Sequence, residues 1–382
     1  MDVITAKRLV EKYKKLYGKS VVLKNDLDGY TPPSNLISEV EYPKLSLGIL
    51  VSGDKNIEFY DNPIYWTINN IEIDEIIKSR INLINARKIV DSNLPRKNDK
   101  LYNEILEAML SVKSINIELY LKRIAENVKI SKLIGFYGYS GIFEKIKINE
   151  NPKIPNVIYK IEEMKAEDSV YELYNEGLSD YYISRLFSMG FFGYKINKKL
   201  VPSKWSITAV HTIIENKIKE EIKDKINKVD RYYLFYYSIY GNDFYGLLIP
   251  GNGDVELIES LLPGSAYNMN GKYTIIGRDD ESGGYFALRL SFAEFMKKYK
   301  MKGSLIVFRF ITKDYKMPLG VWVVREGTKN MLNNMVEKFD NIKDAFYYLN
   351  NIFNKKYNIS LYKLRNYSNI MKQKSLLNYL FK

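Results

Sequence analysis

Tyr232-Tyr233-Leu234-Phe235-Tyr236-Tyr237-Ser238-Ile239-Tyr240 is a dense aromatic and branched run that favours a β-strand. Gly241-Asn242-Asp243 supplies a turn, and Phe244 to Ile249 reads as the return strand, closed by Pro250. The aromatics could form a stacking platform for single-stranded nucleic acid. Alternation on a half-buried strand explains them by packing, and that reading is preferred. Working outward, Gly283-Gly284 precedes a helical run from Tyr285 to Tyr299. Leu305 to Ile311 and Val321 to Val324 read as strands, and Thr328 to Phe339 and Ala345 to Phe353 as helices.

Toward the N-terminus the pattern changes. Residues 1–20 read as a basic amphipathic helix rather than a signal peptide. Residues 21–70 read as irregular, punctuated by Pro32-Pro33, Pro43, Gly48, Gly53 and Pro63, with short extended runs such as Leu45 to Val51. Apolar residues at helical spacing predict helices over Ile71 to Val90 and Leu101 to Val128. Residues 135–157 read as a turn-rich connector, Glu162 to Met189 as helical, and Ser206 to Ile226 as a further helix. The fold class expected is therefore α+β: a helical N-terminal half, then a half with an antiparallel or mixed sheet packed by helices. The segments expected are 1–134, 135–230 with a basic loop at 195–204, 231–354 with the sheet, and a basic tail over 355–382.

Composition narrows the chemistry. The chain has 382 residues, 58 Lys and Arg against 45 Asp and Glu, and a net charge of +13. It contains no cysteine and one histidine, His211. Disulfides, thiol catalysis, Cys-ligated zinc and any two-histidine site within one chain are excluded. No apolar stretch is long enough to span a membrane, so a cytoplasmic, nucleoid-associated protein is expected. Basic balance points to nucleic acid as partner. A coding bias toward Lys, Asn, Ile and Tyr would produce part of the same charge. Residues 346–382 carry seven basic side chains and no acidic one.

That acid-free end holds a spacing with a mechanism. Gln373, Leu376, Tyr379 and Leu380 follow one another as Gln-x-x-aliphatic-x-x-aromatic, with Phe381 next. On a 3₁₀ turn, residues three apart eclipse, so Leu376 and Tyr379 make one apolar plug. This looks like the sliding-clamp (PCNA) interaction motif, with Leu380 at its second aromatic position. The alternative is a terminal amphipathic helix packed on its own body.

Five further segments carry a resemblance. They are Thr31-Pro32-Pro33-Ser34 with Glu41-Tyr42-Pro43-Lys44-Leu45, Tyr60-Asp61-Asn62-Pro63-Ile64-Tyr65-Trp66, Leu200-Val201-Pro202-Ser203-Lys204-Trp205-Ser206-Ile207-Thr208-Ala209-Val210, Gly283-Gly284-Tyr285-Phe286-Ala287-Leu288-Arg289-Leu290, and Pro318-Leu319-Gly320-Val321-Trp322-Val323-Val324-Arg325-Glu326. In this order, over about residues 30–330, they resemble the archaeal Nre family of DNA repair proteins, of which a clamp-binding tail is also a feature. The resemblance implies work in DNA repair with the clamp and with DNA. Two departures stand out. The cysteine-rich zinc-binding segment of many members is absent, and His211 stands where an acidic residue is expected.

Site chemistry stays open between readings. Ser206 fits a helix N-cap, or, with Lys204 and Thr208, a phosphate contact at a helix start. Gly283-Gly284 with Arg289 allows nucleotide binding but matches neither a P-loop nor a Rossmann spacing. Asp279-Asp280-Glu281 and Asp254, Glu256 and Glu259 read as solvated turns, or as carboxylates for Mg²⁺ or Mn²⁺ in a nuclease. His211 reads as structural, or as a base. Arg80, Arg289, Arg309 and Arg325 line a phosphate groove or anchor an internal network with Glu326. The leading expectation is a clamp-tethered DNA repair factor. The alternatives are a metal-dependent nuclease or other phosphodiester- or nucleotide-processing enzyme, and a non-catalytic RNA-binding module. No motif assigns a catalytic residue, a resident metal or a cofactor.

Overall fold

The computed structural model describes residues 8, 11–16, 26–125, 130–131, 134–161, 164–268, 274–278 and 282–372. The chain divides into two compact units, Asp2–Ile214 and Glu215–Lys382.

The first unit is built on a six-stranded sheet. Its strands are β1 (Asp26–Thr31), β2 (Asn35–Glu41), β3 (Lys44–Val51), β4 (Ile84–Asp91), β5 (Ile115–Ala125) and β6 (Tyr139–Ile148), in the order β1-β5-β6-β4-β3-β2. Strands β4 and β6 run parallel, and the other neighbours are antiparallel. Tyr30 and Ser52 exchange backbone hydrogen bonds of 2.8 and 2.9 Å, which ties β1 to the end of β3 and rolls the sheet toward closure. The helices are α1 (Pro63–Ile68), α2 (Ile73–Ile81), α3 (Lys100–Leu110), α4 (Ala166–Asn175), α5 (Asp180–Ser188) and α6 (Ser203–Ile222), the last running on into the second unit.

A helical N-terminal half is thus corrected: this half contains a full sheet. The irregular reading of 21–70 gives way to three strands, and the connector at 135–157 holds β6. The two long helical readings each split into a short helix and a strand, α2 with β4 and α3 with β5. In β5, Ile115, Ile117, Leu119 and Leu121 are buried while Glu118 and Tyr120 face out, a period of two. Of residues 1–20, the described stretch 11–16 is helical.

The second unit holds β7 (Tyr232–Ile239), β8 (Asn242–Ile249), β9 (Val255–Leu261), β10 (Thr274–Arg278), α7 (Gly283–Tyr299), β11 (Ser304–Ile311), α8 (Trp322–Leu332), β12 (Met335–Phe339), α9 (Ile342–Tyr357) and α10 (Leu361–Arg365). The sheet order is β10-β9-β11-β8-β7-β12, with β9 and β11 parallel. The β7–β8 hairpin forms as read, but its turn is Tyr240-Gly241, with φ of +49° and +71°. Positive φ at both central residues is the type I′ geometry that matches strand twist.

Both sheet faces are covered. Phe353 and Leu349 of α9 pack with Tyr245, Phe308 and Phe310 on one face. On the other, Phe235 meets Phe295 of α7, and Met331 of α8 lies against Gly246. Strands β8 and β11 are buried along their whole length, as expected of strands sandwiched between helices. Val321 to Val324 is not a strand: Trp322–Leu332 is a helix, buried through its first two turns. Burial of Trp322, Val323 and Val324 overrides their β preference. The helix read over 328–339 ends at Leu332, and Met335–Phe339 is an edge strand.

Residues up to 372 of the basic tail segment are folded, with Leu361, Leu364, Ile370 and Met371 buried. The motif Gln373, Leu376, Tyr379, Leu380 and Phe381 lies outside the described residues.

Candidate nucleic-acid interface

The basic loop between α5 and α6 is held to its unit from below. Val201 N–H donates to Ser188 O at 2.9 Å and Leu200 N–H to Ser92 O at 2.8 Å. Arg96 Nε donates to Lys198 O at 2.9 Å. Gly190 adopts φ +67°, and a Cβ there would lie 2.2 Å from Lys199 O, so only glycine permits this approach. With the backbone bonded inward, Lys195, Lys199 and Lys204 point out, beside exposed Tyr194, Ile196 and Trp205. Trp205 is 44% exposed, and Lys204 Nζ lies 5.7 Å from its ring centroid. No acidic residue occurs between 190 and 213. Lys204 is ion-paired with Glu39 of β2. Lysines for phosphate and exposed aromatic rings for bases are the two elements of single-strand binding surfaces.

The helix-start reading changes in detail. Helix α6 begins at Ser203, so Ser206 lies inside it, buried, with Oγ donating to Ser203 O at 2.9 Å; it is not the N-cap. Ser203 Oγ instead accepts the Ile37 N–H at 2.9 Å. Thr208 Oγ1 donates back to Trp205 O at 3.0 Å. His211 is buried with Asp180 of α5, Nε2 to Oδ2 at 3.0 Å. Around α5, Asn35 Nδ2 bonds Ser188 Oγ at 2.9 Å, and Arg185 donates to Pro33 O and, at 2.8 Å, to Ser111 O. Burial pushes the Arg185 guanidinium down to about 10. Sequence reading passed over Arg185; its signal was a lone cation among the apolar positions of Tyr182-Ile183-Ser184-Arg185-Leu186.

The four nominated arginines each meet a carboxylate of their own unit. Arg80 Nη2 lies 2.8 Å from Asp61 Oδ1, with the guanidinium 5.0 Å from the Trp66 ring. Arg289 grips Glu215, Arg309 grips Glu259 and Asn242, and Arg325 grips Glu294 of α7 at 2.7 Å. Arg80 belongs to the first unit and the other three to the second. Asp254, Glu256 and Glu259 are not a shared solvated turn. Glu256 and Glu259 sit on β9, Glu256 buried against Asn369 and Glu259 against Arg309. Asp279-Asp280-Glu281 lies outside the described residues. Among the described residues, no three acid or histidine side chains converge as a metal site, and no helix is long and apolar enough to cross a membrane.

Residues 6–268 match the family described as Archaeal Nre, N-terminal, and residues 271–379 match Archaeal Nre, C-terminal. The chain is 34% identical to DNA repair protein NreA of Archaeoglobus fulgidus, over 88% of this chain and 87% of the relative. It is 28% identical to DNA repair protein NreB of the same organism, over 85% of each. It is 25% identical to DNA repair protein NreA of Haloferax volcanii, over 84% of this chain and 81% of that protein. No solved structure matches the chain.

Proposed function

The chain belongs to the archaeal Nre family, and from that membership we propose that it is a DNA repair factor that binds DNA through the basic loop and docks on the sliding clamp through its C-terminal motif. The observation that supports the DNA half is the acid-free loop, whose Lys195, Lys199 and Trp205 face outward while its backbone is bonded inward. The clamp half rests on the spacing of Gln373, Leu376, Tyr379, Leu380 and Phe381 at the chain's basic end. Tethering would raise the local concentration of the loop at DNA without strengthening either contact.

A peptide of residues 371–382 is expected to bind PCNA with a dissociation constant of about 1 μM, roughly −8 kcal/mol. Leu376→Ala with Tyr379→Ala should abolish clamp binding by the full chain. Equal binding after both changes would overturn the tail's role. DNA binding by the same variant should be unchanged and should weaken steeply with salt, since phosphate contacts release counterions.

A further inference from the structure

Helices α9 and α10 bury their apolar sides in one core. Phe346, Leu349 and Phe353 of α9 and Leu361 and Leu364 of α10 pack there with Tyr245 and Phe308 of the sheet. Asn350 Oδ1 of α9 accepts the Leu361 N–H at 3.0 Å, which ties the start of α10 to the middle of α9. The side chains pointing away from that core therefore form one outer surface of the second unit.

The charge on this surface is one-sided. Residues 342–372 carry six basic side chains and one acid, Asp344, in the first turn of α9 beside Lys343. Lys356 is spent on Asp243, 3.1 Å away. Lys355, Lys363 and Lys372 are exposed and, among the described residues, have no carboxylate partner. Of the acids on neighbouring segments, Asp340 is ion-paired with Arg231 at 3.1 Å, Glu337 of β12 is matched by Lys338, and Glu256 is buried. Asp254, exposed where it borders Asn369, is a single counter-charge to three lysines. A positive surplus remains.

Aromatic rings stand among these lysines. Tyr347 is 71% and Tyr362 61% exposed, and Tyr348 and Tyr367 are exposed as well. Tyr347, Asn351, Asn354 and Asn358 recur at three- and four-residue spacing and are all exposed, so they line one stripe of α9. Residues 373–382 carry Lys374 and Lys382 and no acid, so the chain's own tail would bring like charge against like, as would this face of a second copy. The complement of this surface is a polyanion with accessible ring faces.

We propose that the outer face of α9 and α10 is a second DNA-binding surface, selective for single strands, with Lys355, Lys363 and Lys372 on phosphates and Tyr347 and Tyr362 stacked on bases. Stacking needs unpaired bases, so a duplex engages the lysines alone. This surface shares with the basic loop only the choice of DNA as partner.

The test is fluorescence anisotropy of the full chain with labelled oligo(dT), a blunt duplex and oligo(rU) over a salt series. The background carries Ala at Lys195, Lys198 and Lys199, which silences the basic loop. Saturable oligo(dT) binding is expected to persist there, tighter than duplex binding. Adding Tyr347→Ala with Tyr362→Ala should weaken it about tenfold at an unchanged melting temperature. Tyr347→Phe with Tyr362→Phe keeps the rings and should keep the affinity. Lys355→Gln, Lys363→Gln and Lys372→Gln together should lower the slope of log affinity against log salt by about 2. The proposal is overturned if the loop substitutions alone abolish oligo(dT) binding, or if the Ala pair leaves that binding as it was. It is equally overturned if duplex or oligo(rU) binds more tightly than oligo(dT). Parent-like binding by the loop variant, with loss in the tyrosine and lysine variants, would sink the basic loop and uphold this surface.

Discussion

Glu256 Oε1 accepts the backbone N–H of Asn369 at 2.9 Å, joining strand β9 of the second sheet to the 368–370 segment. The same oxygen accepts the Ile370 N–H at 3.1 Å, and the other takes the Ser368 hydroxyl. A buried carboxylate thus fixes residues 368–370. In Glu256→Ala, the buried Ile370 amide and Ser368 hydroxyl lose their acceptor, a cost of about 2–3 kcal/mol. Native-state proteolysis should cut residues 366–372 faster in this variant, while the isolated 371–382 peptide binds the clamp as before. Unaltered cleavage would sink the anchoring role.

Gly190 sets the shape of the basic loop without contributing charge. Its φ of +67° and the 2.2 Å gap from a Cβ to Lys199 O make Gly190→Ala a steric conflict with backbone. We expect a loss of about 1–3 kcal/mol together with weaker DNA binding, read by thermal unfolding and anisotropy. Parent-like affinity would mean that the loop's conformation does not matter to DNA.

Lys195, Lys198 and Lys199 test the loop directly. If each neutralises one phosphate, replacing all three by Ala should reduce the slope of log affinity against log salt by about 3. Trp205→Ala should weaken single-stranded DNA by about 1–3 kcal/mol and duplex far less. An unchanged slope would place the phosphate contacts elsewhere.

Asp243 gives a pH signature of the second unit. It is buried at 4% exposure and accepts from Tyr236 and Tyr357 at 2.9 and 2.7 Å, with Lys356 Nζ 3.1 Å away. Burial raises its pKa, but the hydrogen bonds from Tyr357 and Ser238 and the Lys356 charge outweigh that and hold it below the usual carboxylate value. With the folded pKa below the unfolded one, its stabilisation is full above about pH 4 and is lost as pH falls through the folded value. Asp243→Asn should therefore destabilise the protein at pH 7, by a difference that narrows below about pH 4. Denaturant unfolding at pH 7 and pH 3 measures it, and a constant difference would contradict the assignment.

How much was legible varies by segment. The hairpin of β7 and β8, helix α7 and strand β11 were readable because aromatic density, helical spacing or a continuous apolar run each fits one element. In the first half, apolar spacing is helical only within Leu101–Leu110, so a helix over Leu101 to Val128 overruns Ser111 into β5. The period of two in Ile115, Ile117, Leu119 and Leu121 was present and decides the strand. Among site residues, the basic loop was legible as a run of lysines without acids. The partners of the arginines were not. Asp61, Glu215, Glu259 and Glu294 stand 19, 74, 50 and 31 positions from the arginines they bind.

By itself the sequence determined the charge of +13, the exclusion of thiol and two-histidine chemistry, the order of the Nre segments and the spacing of the tail motif. These are properties of composition and of neighbours along the chain. The tertiary structure decided that the first half holds a rolled sheet, that His211 is buried with Asp180, that Ser206 faces inward, and that Arg289 and Lys219 both pair with Glu215. Each depends on which distant carboxylate or strand edge satisfies a buried polar group. That pairing is settled only when the whole unit packs.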